Sequence, residues 1–307
     1  MTKITVVGAG FVGATTVQRI AEKELGDVMM TDIIDGMPQG KALDLMESAP
    51  IVGFDVNVVG TNDYKDMQDS DIVVITAGIA RKPGMSRDDL IKTNSKIVSE
   101  VSENIQKYAP DSIVIVVTNP LDIMTHVALM KTGFHPGRVI GMSGVLDSAR
   151  FATFVSMELG CSTRDVDAMV LGGHGDLMVP LPRHTTVSGI PITELMDEAA
   201  IDRLVQRTIN GGAEIVELLK TGSAFYAPSA AITLMVESIV RDQKRILPVA
   251  AYMYGQYGYE EIYLGVPVKL GRMGVEAVIE LDLTEPEQEM LARSAEAVKE
   301  AISTLDL

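Results

Sequence analysis

Apolar positions in the first part of the chain fall into short β-branched runs separated by longer stretches with helical spacing. The runs KITVV (3–7), DVMMTD (27–32), VNVV (56–59), DIVVIT (71–76), SIVIVVT (112–118) and RVIGM (138–142) are all of strand length. Strands that alternate with helices in this way predict a parallel sheet covered on both faces. The clearest helical period is Leu90, Ile91, Ile97, Val98, Val101, Ile105 and Tyr108. Ser86 and Asp89 form an S-x-x-D cap ahead of it, so Arg87 falls in the first helical turn. Arg81 and Lys82 then lie in the connection after the DIVVIT strand, at the carboxyl end where open parallel sheets bind ligands.

Past residue 142 the rhythm changes. A helix over 145–159 is followed by strand-like segments, a long helix containing Gly211 and Gly212, and a last helix opened by Thr284, Pro286 and Glu287. The last helix buries Leu291, Val298, Ile302 and Leu305 by spacing. The expected architecture is α/β, with a doubly wound parallel sheet over residues 1–142 followed by an α+β half over 143–307. No repeat or long linker separates the halves, so they are expected to pack together.

Composition narrows the partners. With 307 residues and 47% apolar content the chain can bury a large core. A formal charge of -16 argues against nucleic acid or an anionic membrane as partner and requires a local positive pocket for any anionic ligand. The stretch ARKPGMSR (80–87), with three cations, is the obvious candidate. Cys161 is the only cysteine, which excludes an intrachain disulfide and reads as a small buried residue. No basic region followed by a long apolar run precedes TKITVVGAG, and the expected location is cytoplasmic.

Candidate chemistry begins with Gly8-Ala9-Gly10-Phe11-Val12-Gly13, a G-x-G-x-x-G between a strand and an amphipathic helix. Glycines there allow a tight turn and let backbone N–H groups approach a pyrophosphate at the helix N-terminus. Asp32, 19 residues past Gly13, suits both ribose hydroxyls and repels a 2′-phosphate, which points to NAD over NADP. Thr118-Asn119-Pro120 reads equally as a strand stop or as a place where the Asn119 amide faces the cleft. Of the four histidines, His126 sits in a helical pattern, His135 in a turn before proline and His184 in the strand-like PRHTTV. His174 stands between glycines in LGGHGD, just beyond an apolar run, where backbone can approach a ligand. No second His or Cys stands at metal-ligand spacing to it. Asp147 and Arg150 share a helix face at i and i+3, which reads either as a surface ion pair or as a partner for an imidazole beside a fork for a carboxylate.

Taken in order and spacing, VVGAGFVG with Asp32, ARKPGMSR, VVTNP, GVLDSAR and GGHGD resemble the lactate and malate dehydrogenase family over nearly the whole chain. The resemblance implies a Rossmann domain followed by a catalytic domain, with NAD as cofactor. It implies His174 as acid/base, Asp147 as its partner, Arg150 as the clamp on the C1 carboxylate and Arg87 as the group polarising the C2 oxygen. Asn119 is implied for substrate and cofactor, and Gly8 to Gly13, Asp32, Asn94, Val117 and Thr118 for cofactor. In this family an arginine at the place of Arg81 goes with malate and a glutamine with lactate. The implied substrate is therefore the dicarboxylate malate or oxaloacetate, with an arginine–carboxylate attraction of about 4 kcal/mol at about 4 Å. Lys82 is expected to raise the local potential only, and Ala224 stands where a lactate enzyme typically has a threonine. GVLDSAR and GGHGD are nearest the lactate branch, which implies a homotetramer of paired dimers.

Overall fold

The computed structural model describes residues 2–80 and 85–305; Arg81 and Lys82 lie outside the described residues. Six strands, β1 (Lys3–Val7), β2 (Asp27–Thr31), β3 (Val58–Thr61), β4 (Ile72–Ile75), β5 (Ile113–Val116) and β6 (Val139–Gly141), pair in the order β3-β2-β1-β4-β5-β6. All these pairings are parallel. The helices α1 (Phe11–Glu22), α2 (Met37–Val52), α3 (Arg87–Tyr108) and α4 (Leu121–Thr132) connect them. Strands β1, β4 and β5 are almost wholly buried because helices cover both faces. Strand order reverses between β1 and β4, which makes their carboxyl ends the crevice of a doubly wound sheet.

After α5 (Gly144–Leu159) come the short strands β7 (Val166–Asp167), β8 (Val170–Gly172), β9 (Met178–Pro180), β10 (Thr186–Val187) and β11 (Ile190–Pro191). Then follow α6 (Ile192–Leu195), α7 (Glu198–Leu219), α8 (Tyr226–Val240), β12 (Arg245–Tyr254), β13 (Glu260–Gly271), β14 (Gly274–Val278) and α9 (Glu285–Ser303). The sheet does not stop at β6. It continues antiparallel through β12, β13, β8 and β9, so both halves hang on one continuous sheet. The join is Ala250 against Gly141, where a Cβ on the glycine would come within 2.8 Å of the Ala250 Cβ. Gly141 is thus fixed by close packing, and the firm contact expected between the halves is built into the sheet.

Both capping boxes form: Ser86 accepts from the Asp89 N–H at the start of α3, and Thr284 with Glu287 opens α9. Each such cap contributes about 1 kcal/mol. Several expectations are corrected. The second strand ends at Thr31, leaving Asp32 just beyond it, and the third lies at Val58–Thr61, two residues later than VNVV. The first half of PRHTTV is a 3-10 turn, Pro182–His184, because Pro182 supplies no N–H to a ladder, and only Thr186–Val187 is a strand. Leu305 lies past the end of α9 and is only partly buried, as is Cys161, packed at the rim of a cluster under α5. Helices α2 and α8 carry little apolar contrast around their circumference; α8 is apolar on nearly every side because it is buried between α1, α5 and β13.

Candidate active site

The turn after β1 is shaped by contacts that admit no side chain. A Cβ at Gly13 would overlap the Gly8 carbonyl, and one at Gly8, whose φ is 107°, would lie 2.6 Å from Thr76 Oγ1. Thr76, just after β4, donates its hydroxyl to the carbonyls of Val7 and Gly8, tying together the two strands that flank the crevice. Gly10 caps α1 with no side-chain hydrogen bond, and a Cβ there would meet nothing within 4 Å. The approach to the N-terminus of α1 is thus open at Gly10, and a helix N-terminus without a side-chain cap suits a pyrophosphate. Asp32 accepts from Ala9 N at 2.7 Å and Ile34 N at 3.0 Å, so its carboxylate braces the turn. Phe11 is 71% exposed and stacks on Phe225 at 5.3 Å, which carries the turn to the start of α8. Lys41, not singled out in the sequence, donates to the Ala9 carbonyl at 2.5 Å.

Asn94 is fully buried on α3, and its amide is committed to backbone: Oδ1 accepts from Ile79 N at 2.9 Å, and Nδ2 donates to the carbonyls of Ile79 and Asn119. Any part it plays toward a cofactor is through the loops it binds together. Thr118 similarly spends its hydroxyl on the Ala77 carbonyl. Asn119 is exposed, follows β5 and precedes Pro120 through a cis peptide bond. It lines the cavity with Val12, Val117 and Thr118, just past the end of β5.

The cavity, about 590 Å³, is closed on its other side by Leu146, Arg150, His174, Gly212 and Ala224. It joins the carboxyl end of the parallel sheet to the second half. Asp147 and Arg150 lie in the first turns of α5 with side chains only 2% and 12% exposed, so theirs is no surface ion pair. Asp147 Oδ1 accepts from Arg150 Nη1 at 3.2 Å while Oδ2 meets His174 Nδ1 at 2.9 Å. A carboxylate only accepts, so the imidazole donates through Nδ1 and presents Nε2 to the cavity. Burial works against the imidazolium, yet the adjacent Asp147 charge and hydrogen bond override it and hold His174 above the ordinary imidazole pKa. Arg150 Nε is buried without a hydrogen-bond partner, which leaves the guanidinium suited to an incoming anion. Gly211 and Gly212 of α7 lie beside it: a Cβ on Gly211 would sit 3.4 Å from Arg150 Cδ, and one on Gly212 3.7 Å from Nη2, both ordinary contact distances.

Arg87 occupies the first turn of α3, exposed and outside the cavity lining. Arg81 lies outside the described residues. Sequence reasoning missed Asp122 and Ser294, whose side chains accept from the N–H groups of His174 and Gly173. Neither has a local signal, being 52 and 121 residues from its partner. Among the described residues no three His, Cys, Asp or Glu are gathered as a metal site, and no helix is long and apolar enough to cross a membrane.

A glycine-rich turn braced by a carboxylate, whose Val12 lines the same cavity as His174 and Arg150, together with the buried Asp147–His174 pair, defines a dinucleotide-dependent oxidoreductase acting on a small acid. The sequence profile of the lactate/malate dehydrogenase NAD-binding domain matches residues 2–141, and that of the lactate/malate dehydrogenase alpha/beta C-terminal domain matches 144–306. The chain belongs to the lactate/malate dehydrogenase family, and its cofactor is NAD. It is 64% identical to the malate dehydrogenase of Methanosarcina mazei over 307 residues, the full length of both, and 58% identical to that of Heliobacterium modesticaldum, covering 98% and 97%. Among solved structures it superposes on the apo malate dehydrogenase of Picrophilus torridus with a TM-score of 0.96 at 49% identity, covering 98% and 96%. The Cryptosporidium parvum lactate dehydrogenase, solved with lactic acid and nicotinamide adenine dinucleotide, also gives 0.96, at 41% identity and 99% and 98% coverage.

Proposed function

We propose that the protein catalyses the reversible, NAD-dependent oxidation of malate to oxaloacetate, and that His174 is its acid/base. The observation that carries the reading is the buried Asp147–His174 pair 2.9 Å apart, set beside the partly unsatisfied Arg150 guanidinium. Bound NAD supplies the hydride acceptor. In the oxidative direction neutral His174 takes the C2 hydroxyl proton at Nε2, and Asp147 stabilises the imidazolium that results. In the reverse direction the imidazolium returns that proton to the carbonyl oxygen. Arg150 offers its guanidinium to the C1 carboxylate, which fixes C2 near the ring, and Arg87 is assigned to the C2 oxygen, where negative charge grows during reduction. Asn119 contributes to both ligands. Arg81 pairs with the second carboxylate, at a gain of about 4 kcal/mol for a separation of about 4 Å.

The reading further takes residues 1–142 as the cofactor domain and 143–307 as the catalytic domain, in a cytoplasmic homotetramer. Support for self-association is the set of large apolar side chains left exposed on α2 (Leu43, Ile51, Val52) and at the end of α7 (Leu218, Leu219). The test of function is initial-rate measurement with oxaloacetate and pyruvate, each with NADH and NADPH. A large preference for oxaloacetate with NADH is expected, and in Arg81→Gln the oxaloacetate-to-pyruvate ratio falls by orders of magnitude. Comparable kcat/KM for the two acids in the parent enzyme excludes the malate reading, whereas an unchanged ratio in the variant removes selectivity from Arg81.

A further inference from the structure

Asp122, in the first turn of α4, has no part in the chemistry above, yet its carboxylate is bonded to the main chain of His174. Its side chain is buried; Oδ2 accepts from the main-chain N–H of His174 at 3.1 Å, and Oδ1 has no hydrogen-bond partner. The next N–H back, that of Gly173, is held by Ser294 Oγ of α9 at 2.6 Å. Successive backbone groups of the GGHGD turn are therefore pinned by one helix from each half of the chain. A Cβ at Gly173 would come 3.1 Å from Ser294 Oγ and 3.2 Å from Asp122 Oδ2, so a glycine is what lets both reach the backbone.

The hydrogen bond alone does not account for an acid at this place. A neutral asparagine of the same shape could accept from His174 N equally well, and a buried carboxylate with an unused oxygen is costly. What only the acid adds is charge. Around the imidazole, α5 contributes Asp147 and Arg150, α4 contributes Asp122, α9 contributes the neutral Ser294, and the turn itself carries Asp176 at the cavity wall. Arg150 opposes the imidazolium, and Asp147 and Asp122 favour it from two sides. We propose that Asp122 is a positioning residue for proton transfer: it anchors the main chain at His174, and its negative charge favours the protonated imidazole used in carbonyl reduction. Desolvation raises the Asp122 carboxyl to about 6 against the downward pull of His174, and Asp147 adds to the rise. It is thus mostly ionised at neutral pH and loses its influence in mild acid.

This inference rests on His174 being the acid/base. The experiment compares the full-length enzyme with Asp122→Asn and Asp122→Leu, following oxaloacetate reduction and malate oxidation against pH, together with NADH binding by fluorescence. Asp122→Asn is expected to keep NADH affinity and to move the pKa that governs kcat/KM downward by about one half to one unit. Reduction then falls about three- to tenfold on the alkaline side and is restored toward acid pH. Asp122→Leu, which also loses the anchor, is expected to be impaired at every pH. A parental pH profile in Asp122→Asn, or a loss by the same factor at all pH values, overturns the proposal, because a purely structural role does not move the profile. A parent enzyme without oxaloacetate turnover sinks the function itself, an outcome distinguishable from either.

Discussion

Gly212→Ala separates what the fold prefers from what the site requires. Gly212 is inside α7, a helix of 22 residues, and consecutive glycines at 211 and 212 weaken it by about 1 kcal/mol each relative to alanine. The added Cβ would lie 3.7 and 3.9 Å from Arg150 Nη2 and Nη1, ordinary van der Waals contact with no clash. Stability should therefore rise by about 1 kcal/mol, or about 2 °C in Tm for a chain of this size. The same methyl lies against the guanidinium on the cavity wall, where a substrate carboxylate would approach. Weakening one charge-assisted hydrogen bond by about 1 kcal/mol raises KM for oxaloacetate roughly fivefold, with kcat and NADH affinity little changed. Thermal unfolding and steady-state kinetics on the same preparation check both halves. A lower Tm, or a higher Tm with unchanged KM, refutes the view that these glycines are kept for Arg150.

Two further outcomes follow from the Asp147–His174 pair. His174→Asn should abolish turnover in both directions while NADH still binds, as measured by single-turnover absorbance and fluorescence titration; near-normal kcat takes the histidine out of the mechanism. Because the folded-state pKa of His174 is raised above its ordinary value, folding takes up a proton between the two values. The resulting stabilisation is complete below about pH 6.5 and is lost as pH rises through the folded-state pKa. The Tm difference between parent and His174→Asn should therefore move against the parent as pH rises through that window, and a pH-independent difference argues against the raised pKa.

Local signals were legible wherever one turn or one strand carries the information. The Ser86–Asp89 and Thr284–Glu287 boxes, the glycine turn and the buried β-branched strands all formed near their expected places. Boundaries drifted where pairing decides them, as in Val58–Thr61, whose register is set by β2. Helix α8 was not legible because a helix buried on nearly every side has no polar face to reveal its period. Asn94 illustrates a subtler limit: the resemblance implied a cofactor contact, and only the structure revealed that its buried amide bonds the backbone of Ile79 and Asn119.

By itself the sequence determined the buried strands of the first half, the capped helix starts, the glycine turn with Asp32 and the acidic balance, because each depends on neighbours a few residues apart or on a simple sum. Only the tertiary structure decided that Asp147 reaches His174 across 27 residues, that Asp122 reaches it across 52, and that Ser294 holds Gly173 across 121. It also decided that Asp147 and Arg150 form a buried pair, where spacing alone allowed a surface one. Long-range pairing and burial depend on which faces the continuous sheet brings together, and the low dielectric they create is what strengthens the contacts of Asp147 with His174 and Arg150.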